Sequence, residues 1–367
     1  MKLGLFMMPV HDPKKDYHTA INEDVEAMIY ADELGYDEAW VGEHYASAAE
    51  QITSPLIFLS SLIGRTKNIK FATGVMCLPQ YHPALVAGQC AMFDHLSKGR
   101  FIMGIGPGGL PPDFEMFGTM DLDRIAMMKE SIDIIQQIWA GDPPYDIKGK
   151  FWNVKVTDWV YDDIGLGYMC KPYQQPTPPI AVSAMSPYSG SIRYAASKGY
   201  EPVSANFIGN WSTKSHWDVY AEESAKHGRE ADPECWRVAR NVHVADTDAE
   251  AEALVKTRGD STDYYYDYLF KIFERAEMKG PFVVNKGDDP DTLKHEDLRD
   301  NFVIHGSVDT VVEKLLAFRD EVGHFGTLMH VAQDWVNKPA MKRSMELLAK
   351  EVMPKLNAAI GAKSAAE

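Results

Sequence analysis

Short apolar runs alternate with longer amphipathic ones along most of this chain, and that alternation restricts the fold more than any other feature. KLGLFMM, residues 2–8, reads as a strand, and residues 19–35 read as a helix closed by Gly35. EAWVGEH is the next strand, 54–64 the next helix and NIKFATGVM the third strand. Residues 83–95 are helical, RFIMGI is a strand, and 121–140 form a long helix. In that helix Ile125, Met128, Ile132, Ile135 and Ile138 recur every three or four residues, giving one apolar face. Gly141, Pro143 and Pro144 stop it. The pattern resumes with PPIAVSAM, a helix over 188–198, YEPVSA, a helix over 212–228, WRVARNVHVAD and a helix over 247–258. A helix over 307–321, the strand FGTLMHVAQ and a helix over 339–354 follow.

Repeated strand–helix units imply a parallel sheet, and eight of them favour a closed α/β TIM barrel, (β/α)8, over an open doubly wound sheet. All 367 residues read as one barrel domain with two interruptions. One, 142–178, follows the fourth unit and carries Trp152, Trp159 and a proline-rich end; the other, 259–302, follows the seventh and carries TDYYYDYLF. In such barrels the chemistry sits on loops at the C-terminal ends of the strands. A net charge of −16 argues against nucleic acid and anionic membrane as partners. Cys77, Cys90, Cys170 and Cys235 are scattered without a C-x-x-C pair, which favours a reducing cytoplasm over a disulfide framework. The apolar start MKLGLFMMPV is too short for a signal peptide and reads as a buried first strand.

Gly104, Gly106 and Gly109 spell G-x-G-x-x-G directly after a strand. The dinucleotide fingerprint needs those glycines to open a helix onto a pyrophosphate. Pro107, Pro111 and Pro112 interrupt the segment, the next good helix is expected near Asp121, and no acidic residue ends a second strand ~20 positions on. The glycines therefore shape a loop where backbone passes close to a flat ligand or another loop; a tight turn without a ligand is the plain alternative.

Three other strand ends carry candidate residues. Glu43 and His44 follow the second strand, where a histidine is suited to move protons near neutral pH; a structural histidine is the alternative. Thr73 and Gly74 end the third strand, where glycine permits a bulge against a planar ring or ordinary barrel curvature. In SAMSPYSGSIRYAASKG, Ser186 is a candidate N-cap with Pro187 at the first helical position. The hydroxyls of Ser186, Ser189 and Ser191 with the free N–H groups of that turn suit a phosphate, as against an ordinary capped helix. Arg124 offers a fixed positive charge to the same phosphate. No metal template is present: H-E-x-x-H is absent, and His324 and His330 lie six residues apart on a strand. Tyr264, Tyr265, Tyr266 and Tyr268 read as an aromatic lid or as partly buried packing.

These motifs together resemble the bacterial luciferase-like flavin monooxygenases. The matching stretches, in order, are MKLGLFMMP, ADELGYDEAWVGEHY, GVMCLPQYHPALVA, LSKGRFIMGIGPG, DFEMFGT, AMSPYSGSIRYAASKGYEPVS and VIHGSVDTVVEKLLAF. The SP turn and the HGSVDTV segment are most similar to the limonene- and diketocamphane-monooxygenase branch. The resemblance implies a barrel that binds FMN non-covalently at its open end, takes it reduced from a separate reductase, and uses dioxygen to oxidise a substrate. It implies a proton-transfer role for His44, a non-proline cis peptide at Gly74–Val75 behind the isoalloxazine with Met76 and Gly106 beside it, and a phosphate turn made by Ser186, Tyr188, Ser189, Gly190 and Ser191 with Arg124 near. It also implies a homodimer. Where luciferase itself ends the fourth strand with a cysteine and an arginine, this chain has Gly106 and Pro107, so that phosphate contact is absent or replaced, and light emission has no basis.

The expectation is a two-component, FMN-dependent monooxygenase acting on a small apolar substrate, with Baeyer–Villiger oxidation ahead of epoxidation or N-oxidation. The 259–302 segment would be a lid that excludes water, with Trp152, Tyr161 and Gln333 as pocket walls. The rival readings are a deazaflavin-dependent hydride-transfer enzyme, a non-catalytic flavin-binding relative, and a barrel hydrolase using Glu43 with Asp113 or Asp334.

Overall fold

Eight parallel strands pair in chain order in a computed structural model that describes residues 1–364. They are β1 (Lys2–Met7), β2 (Glu38–Val41), β3 (Lys70–Thr73), β4 (Phe101–Gly106), β5 (Ile180–Ala184), β6 (Glu201–Ser204), β7 (Arg237–Val244) and β8 (Thr327–Val331). β8 returns to β1 with Leu3 opposite Leu328, so the sheet closes into the barrel that the alternation implied. The helices that clothe it are α1 (Tyr17–Leu34), α2 (Pro55–Ser60), α3 (Pro83–Ser97), α4 (Arg124–Ala140), α5 (Gly190–Lys198), α6 (Asn210–Lys226), α7 (Val308–Val322) and α8 (Lys338–Leu347).

Local chemistry accounts for the boundaries. Asp16 accepts from the Thr19 N–H to start α1, and Gly35, left-handed at φ 85°, ends it. α4 starts at Arg124 rather than Asp121 because the Asp123 carboxylate takes the Ala126 N–H. α2 is shorter than the 54–64 expectation, running only to Ser60 before the chain turns. After α8 the chain continues through a wide turn at Leu348–Val352 into a last helix, Met353–Ser364, beyond the expected end.

Both interruptions have structure of their own. The first holds an antiparallel hairpin, Tyr145–Lys148 with Asn153–Val156. The second follows the helix Asp248–Lys256 and contains the helices Ser261–Arg275 and His295–Phe302. It is followed by a strand, Val303–Gly306, that lies along the upper half of β7.

The barrel interior is plugged at its base and open at its top. Trp40, 1% exposed, fills the centre, and Ala72, Ala181 and Ala239 from β3, β5 and β7 leave room for it. Below it Glu38 accepts from Trp40 Nε1 at 3.0 Å and from Arg237 at 2.6 and 2.9 Å, while Glu201 takes the third Arg237 bond. A buried guanidinium with this many charge-assisted bonds is a plug that water does not enter. The site must therefore open at the other end, where the strands finish.

Candidate active site

The glycines after β4 explain how that open end is shaped. A Cβ on Gly104 would stand 1.9 Å from the Thr73 carbonyl oxygen and 2.9 Å from the Trp40 ring. One on Gly106 would stand 2.5 Å from the Val75 side chain. β4 can pass this close to the end of β3 only because it has no side chains there. At the end of β3 the Gly74–Val75 peptide is cis, and Met76–Cys77 then pairs with Ile105–Gly106. The result is a wall in which the ends of β3 and β4 pack without side chains at Gly104 and Gly106, and Gly74 and Val75 reach the cavity.

The segment after those glycines is helical sooner than expected. Pro111 and Pro112 occupy the first turn of a short helix, Pro111–Met116, where a missing N–H costs nothing. Its task is to deliver Asp113. The Asp113 carboxylate accepts from the Tyr45 and Ala46 N–H groups through Oδ1, at 3.1 and 2.8 Å, and faces His44 Nδ1 through Oδ2 at 3.2 Å. These partners outweigh its burial and hold its carboxyl below the usual carboxylate range.

His44 thus sits in a closed set of acids, with its side chain 12% exposed. Asp113 faces one ring nitrogen, and Glu50 Oε1 stands 3.7 Å from the other. Burial alone would lower its pKa, but Glu50, then Asp113, then the adjacent Glu43 raise it above its ordinary value. The imidazole is held with Nδ1–H on Asp113, which leaves Nε2 on the side of Glu50, and both His44 and Glu50 line the cavity. Glu43 is buried beside His44, at the cavity lining, without a well-formed hydrogen bond to either oxygen, and burial pushes its carboxyl up to about 8. His44, with Asp113 at one ring nitrogen and Glu50 near the other, carries the site's charge chemistry.

A cavity of about 380 Å³ opens in front of these groups. Of the sequence-predicted site residues, His44, Gly74, Val75, Ser186, Ser189 and Ser191 line it. Met76 and Gly106 lie directly behind that wall. Tyr188 and Gly190 belong to the serine turn but stand off the cavity.

Two expectations are corrected. The cap of α5 is Ser189, whose hydroxyl accepts from the Ser191 N–H at 3.1 Å, not Ser186. Tyr188 turns left-handed at φ 52° and its N–H goes to Ser215, so the helix begins later; the Ser186 carbonyl instead accepts from His216. The Arg124 guanidinium lies 3.8 Å over the Phe114 ring, which the short helix supplies, and donates to the Thr119 and Met120 carbonyls. Trp152, Tyr161 and Gln333 are not cavity walls: Trp152 packs on the outer core, Tyr161 sits on the first interruption, and Gln333 is tied to His243 and Thr262. The far wall is instead Tyr265, Leu269, Ile272 and Phe273 of the helix Ser261–Arg275, with Phe207. His330 is buried in β8 against Tyr36, while His324 lies outside the strand against Glu234.

Sequence reasoning weighed Asp113 only as a hydrolase acid, although DFEMFGT was among the matching stretches. It missed Glu50 entirely, and nothing in the local stretch ASAAEQ marks it.

A family model described as luciferase-like monooxygenase matches residues 1–324. The 4-hydroxyprotoasukamycin monooxygenase of Streptomyces nodosus subsp. asukaensis is 31% identical over 98% of this chain and 93% of its own. The limonene 1,2-monooxygenase of Rhodococcus erythropolis is 29% identical over 98% of this chain and 87% of its own. A solved structure of the oxygenating constituent of 3,6-diketocamphane monooxygenase from Pseudomonas putida, a type II Baeyer–Villiger monooxygenase in complex with FMN, superposes with a TM-score of 0.87. That chain is 32% identical, and the match covers 97% of this chain and 98% of that one.

Proposed function

The chain belongs to the luciferase-like monooxygenases, and from that premise we propose that it is the oxygenase component of a two-component system. It takes reduced FMN from a separate flavin reductase and, with dioxygen, transfers one oxygen atom to a small apolar substrate while the other leaves as water. Baeyer–Villiger oxidation of a ketone or aldehyde is the first reading of the chemistry, epoxidation the second.

One observation carries this reading: a histidine held by two carboxylates stands at the edge of an apolar cavity, one side of which is formed by the close-packed ends of β3 and β4 with Gly74 at the lining. A glycine there suits a flat ring, because a side chain would hold the ring off. The site residues fit FMN on the same grounds. Gly74, Val75, Met76 and Gly106 would back the isoalloxazine, and Ser186, Ser189 and Ser191, with the α5 N-terminus at Gly190 and Tyr188 beside it, would hold the phosphate. Arg124, seated on the Phe114 ring, would supply positive charge near that phosphate. When bound and reduced, the flavin supplies the electrons that activate dioxygen. The chain's part is to exclude water with the helix Ser261–Arg275 and to hold and move a proton at His44 Nε2.

A homodimer is part of the proposal. Ile57 on α2 and Leu85, Met92 and Leu96 on α3 form an exposed apolar face, with Met92 57% and Leu96 53% exposed. Such a face on neighbouring helices suits a second copy. The four cysteines are free, and no described helix is long and apolar enough to cross a membrane, both compatible with a cytoplasmic setting.

The test is a titration with oxidised and reduced FMN, followed by dioxygen uptake with a flavin reductase and a panel of cyclic ketones and terpenes. Binding of FMN and substrate-dependent oxygen uptake with a one-oxygen product would support the reading. FMN binding without turnover on any of them would favour a non-catalytic flavin binder, and binding of a deazaflavin alone would favour hydride transfer.

A further inference from the structure

The helix Ser261–Arg275 does more than wall the cavity. Tyr268 reaches from it to the loop that follows β2, where its hydroxyl lies 2.8 Å from Glu50 Oε2 and 2.8 Å from Ser47 Oγ. Ser47 Oγ already accepts the Ala49 and Glu50 N–H groups at 3.2 and 3.1 Å, so its own hydrogen is free to go to the phenol oxygen. The phenol proton is then directed to Glu50 as a charge-assisted bond. Burial, and after it the Glu50 charge, raise the Tyr268 hydroxyl well above its ordinary pKa, so it remains a donor. The second oxygen of the same carboxylate faces His44 Nε2 at 3.7 Å. Glu50 is buried and lines the cavity beside the histidine. One carboxylate, 218 positions from Tyr268 in sequence, therefore connects a residue on the helix to the histidine just after β2.

We infer that Tyr268 is a positioning residue for His44: acting through Glu50, it holds a negative charge against the Nε2 edge of the imidazole, so that seating of the helix Ser261–Arg275 governs how firmly the histidine keeps its second proton. The inference rests on the reading of His44 as the group that moves protons in the proposed oxygenation. The charged and titratable groups facing His44 are Glu43 beside it, Asp113 from the short helix, Glu50 from the loop, and Tyr45 next in sequence. Asp113 is anchored by two backbone N–H groups that do not depend on the helix. Among the described residues, Glu50 has only Tyr268 as a side-chain hydrogen-bond donor at its far oxygen. When the helix lifts, Asp113 stays and Glu50 loses its tether, so its carboxylate turns toward water and the proton on the histidine is released. A seated helix thus gives a closed cavity and a proton-bearing histidine together, and a lifted helix gives neither.

The experiment is a pH titration of the full chain, labelled with ¹⁵N-histidine, without flavin or substrate. The His44 signal is assigned by its loss in His44→Gln. Glu50→Gln should lower the His44 pKa by on the order of 1–3 units, the usual effect of removing a close opposite charge. Tyr268→Phe should lower it by about half a unit or more, the equivalent of one modest hydrogen bond. Tyr268→Phe added to Glu50→Gln should give no further change, and Tyr264→Phe, one turn away, should give none. An unchanged His44 titration in Tyr268→Phe would overturn the inference, as would an equal shift with or without Glu50. If Tyr268→Phe does not fold, Ser47→Ala takes its place: it frees the phenol to turn, and a shift in the same direction is expected, its absence counting against the coupling. This readout needs neither cofactor nor turnover. A failed coupling is therefore distinguishable from a failed monooxygenase reading, which the FMN titration tests separately.

Discussion

Replacing Gly104 by alanine probes the close contact between β3 and β4 on which the cavity wall depends. The new Cβ would lie 1.9 Å from the Thr73 carbonyl oxygen, and real Cβ atoms essentially never approach another atom closer than 3.0 Å. Because the obstacle is backbone, no side-chain rotation relieves it, and β3 and β4 must part by about 1.1 Å. The Thr73 hydroxyl donates to the Gly104 carbonyl at 2.7 Å, and a separation of that size ends this bond. Losing it costs about 1 kcal/mol and overpacking about 1–3 more, so a destabilisation of about 2–4 kcal/mol is expected. Equilibrium urea unfolding followed by tryptophan emission measures it, with Trp40 itself 2.9 Å from the added methyl. Gly109→Ala is the control, since nothing lies within 4 Å of its Cβ position. The reasoning would be refuted if the two variants unfolded within about 0.5 kcal/mol of each other, the usual range of a neutral surface change. Such a result would mean that the end of β3 yields freely, and that the glycine is not what keeps this wall close-packed.

Asp113→Asn keeps an oxygen for the Tyr45 and Ala46 N–H groups but turns an amide donor onto His44 Nδ1. FMN affinity should be nearly unchanged while substrate-dependent oxygen uptake falls by about 10²–10⁴, and wild-type turnover would remove His44 from the acid–base role. His11, buried between Asp24 and Asp334, has its pKa raised to about 9: burial opposes protonation, but hydrogen bonds and charge from the two acids prevail. Its folded value lies above the unfolded ~6.5, so its stabilisation is fully present below pH 6.5 and fades as pH rises through 9. The stability difference between wild type and His11→Gln should therefore shrink by about 3 kcal/mol across that window in unfolding curves, and a pH-independent difference would show that His11 is neutral in the fold. Arg237→Met leaves Glu38 buried without its main partner and should cost about 3–5 kcal/mol, most of it recovered when Glu38→Gln is added; no recovery would mean that packing rather than charge dominates the plug. Met92→Glu with Leu96→Glu should convert the proposed dimer to monomer in analytical ultracentrifugation, and an unchanged sedimentation coefficient would place the interface elsewhere.

The barrel was legible in the sequence because strand and helix periodicities are local properties. Runs such as FIMGI and VARNVHV, set between helices with one apolar face, leave few folds besides a parallel sheet, and their number implies closure. The position of His44 at a strand end and the serine turn before α5 followed from the same pattern, since strand ends are where such barrels open. Even the glycines announced a close approach, though not what approached them.

Other features depend on distances between loops, which no periodicity encodes. Asp113 meets His44 across 69 residues, and Tyr268 meets Glu50 across 218. The Arg124 guanidinium lies over Phe114, a ring supplied by a short helix that opens with the very prolines that spoiled the dinucleotide fingerprint. By itself the sequence determined that the chain closes into a barrel with a histidine at its mouth. Only the tertiary structure decided which acids hold that histidine and which helix covers it. The physical reason is that element type follows from neighbouring residues, whereas contacts between strand-end loops follow from barrel closure and loop length, which act between residues far apart in the chain.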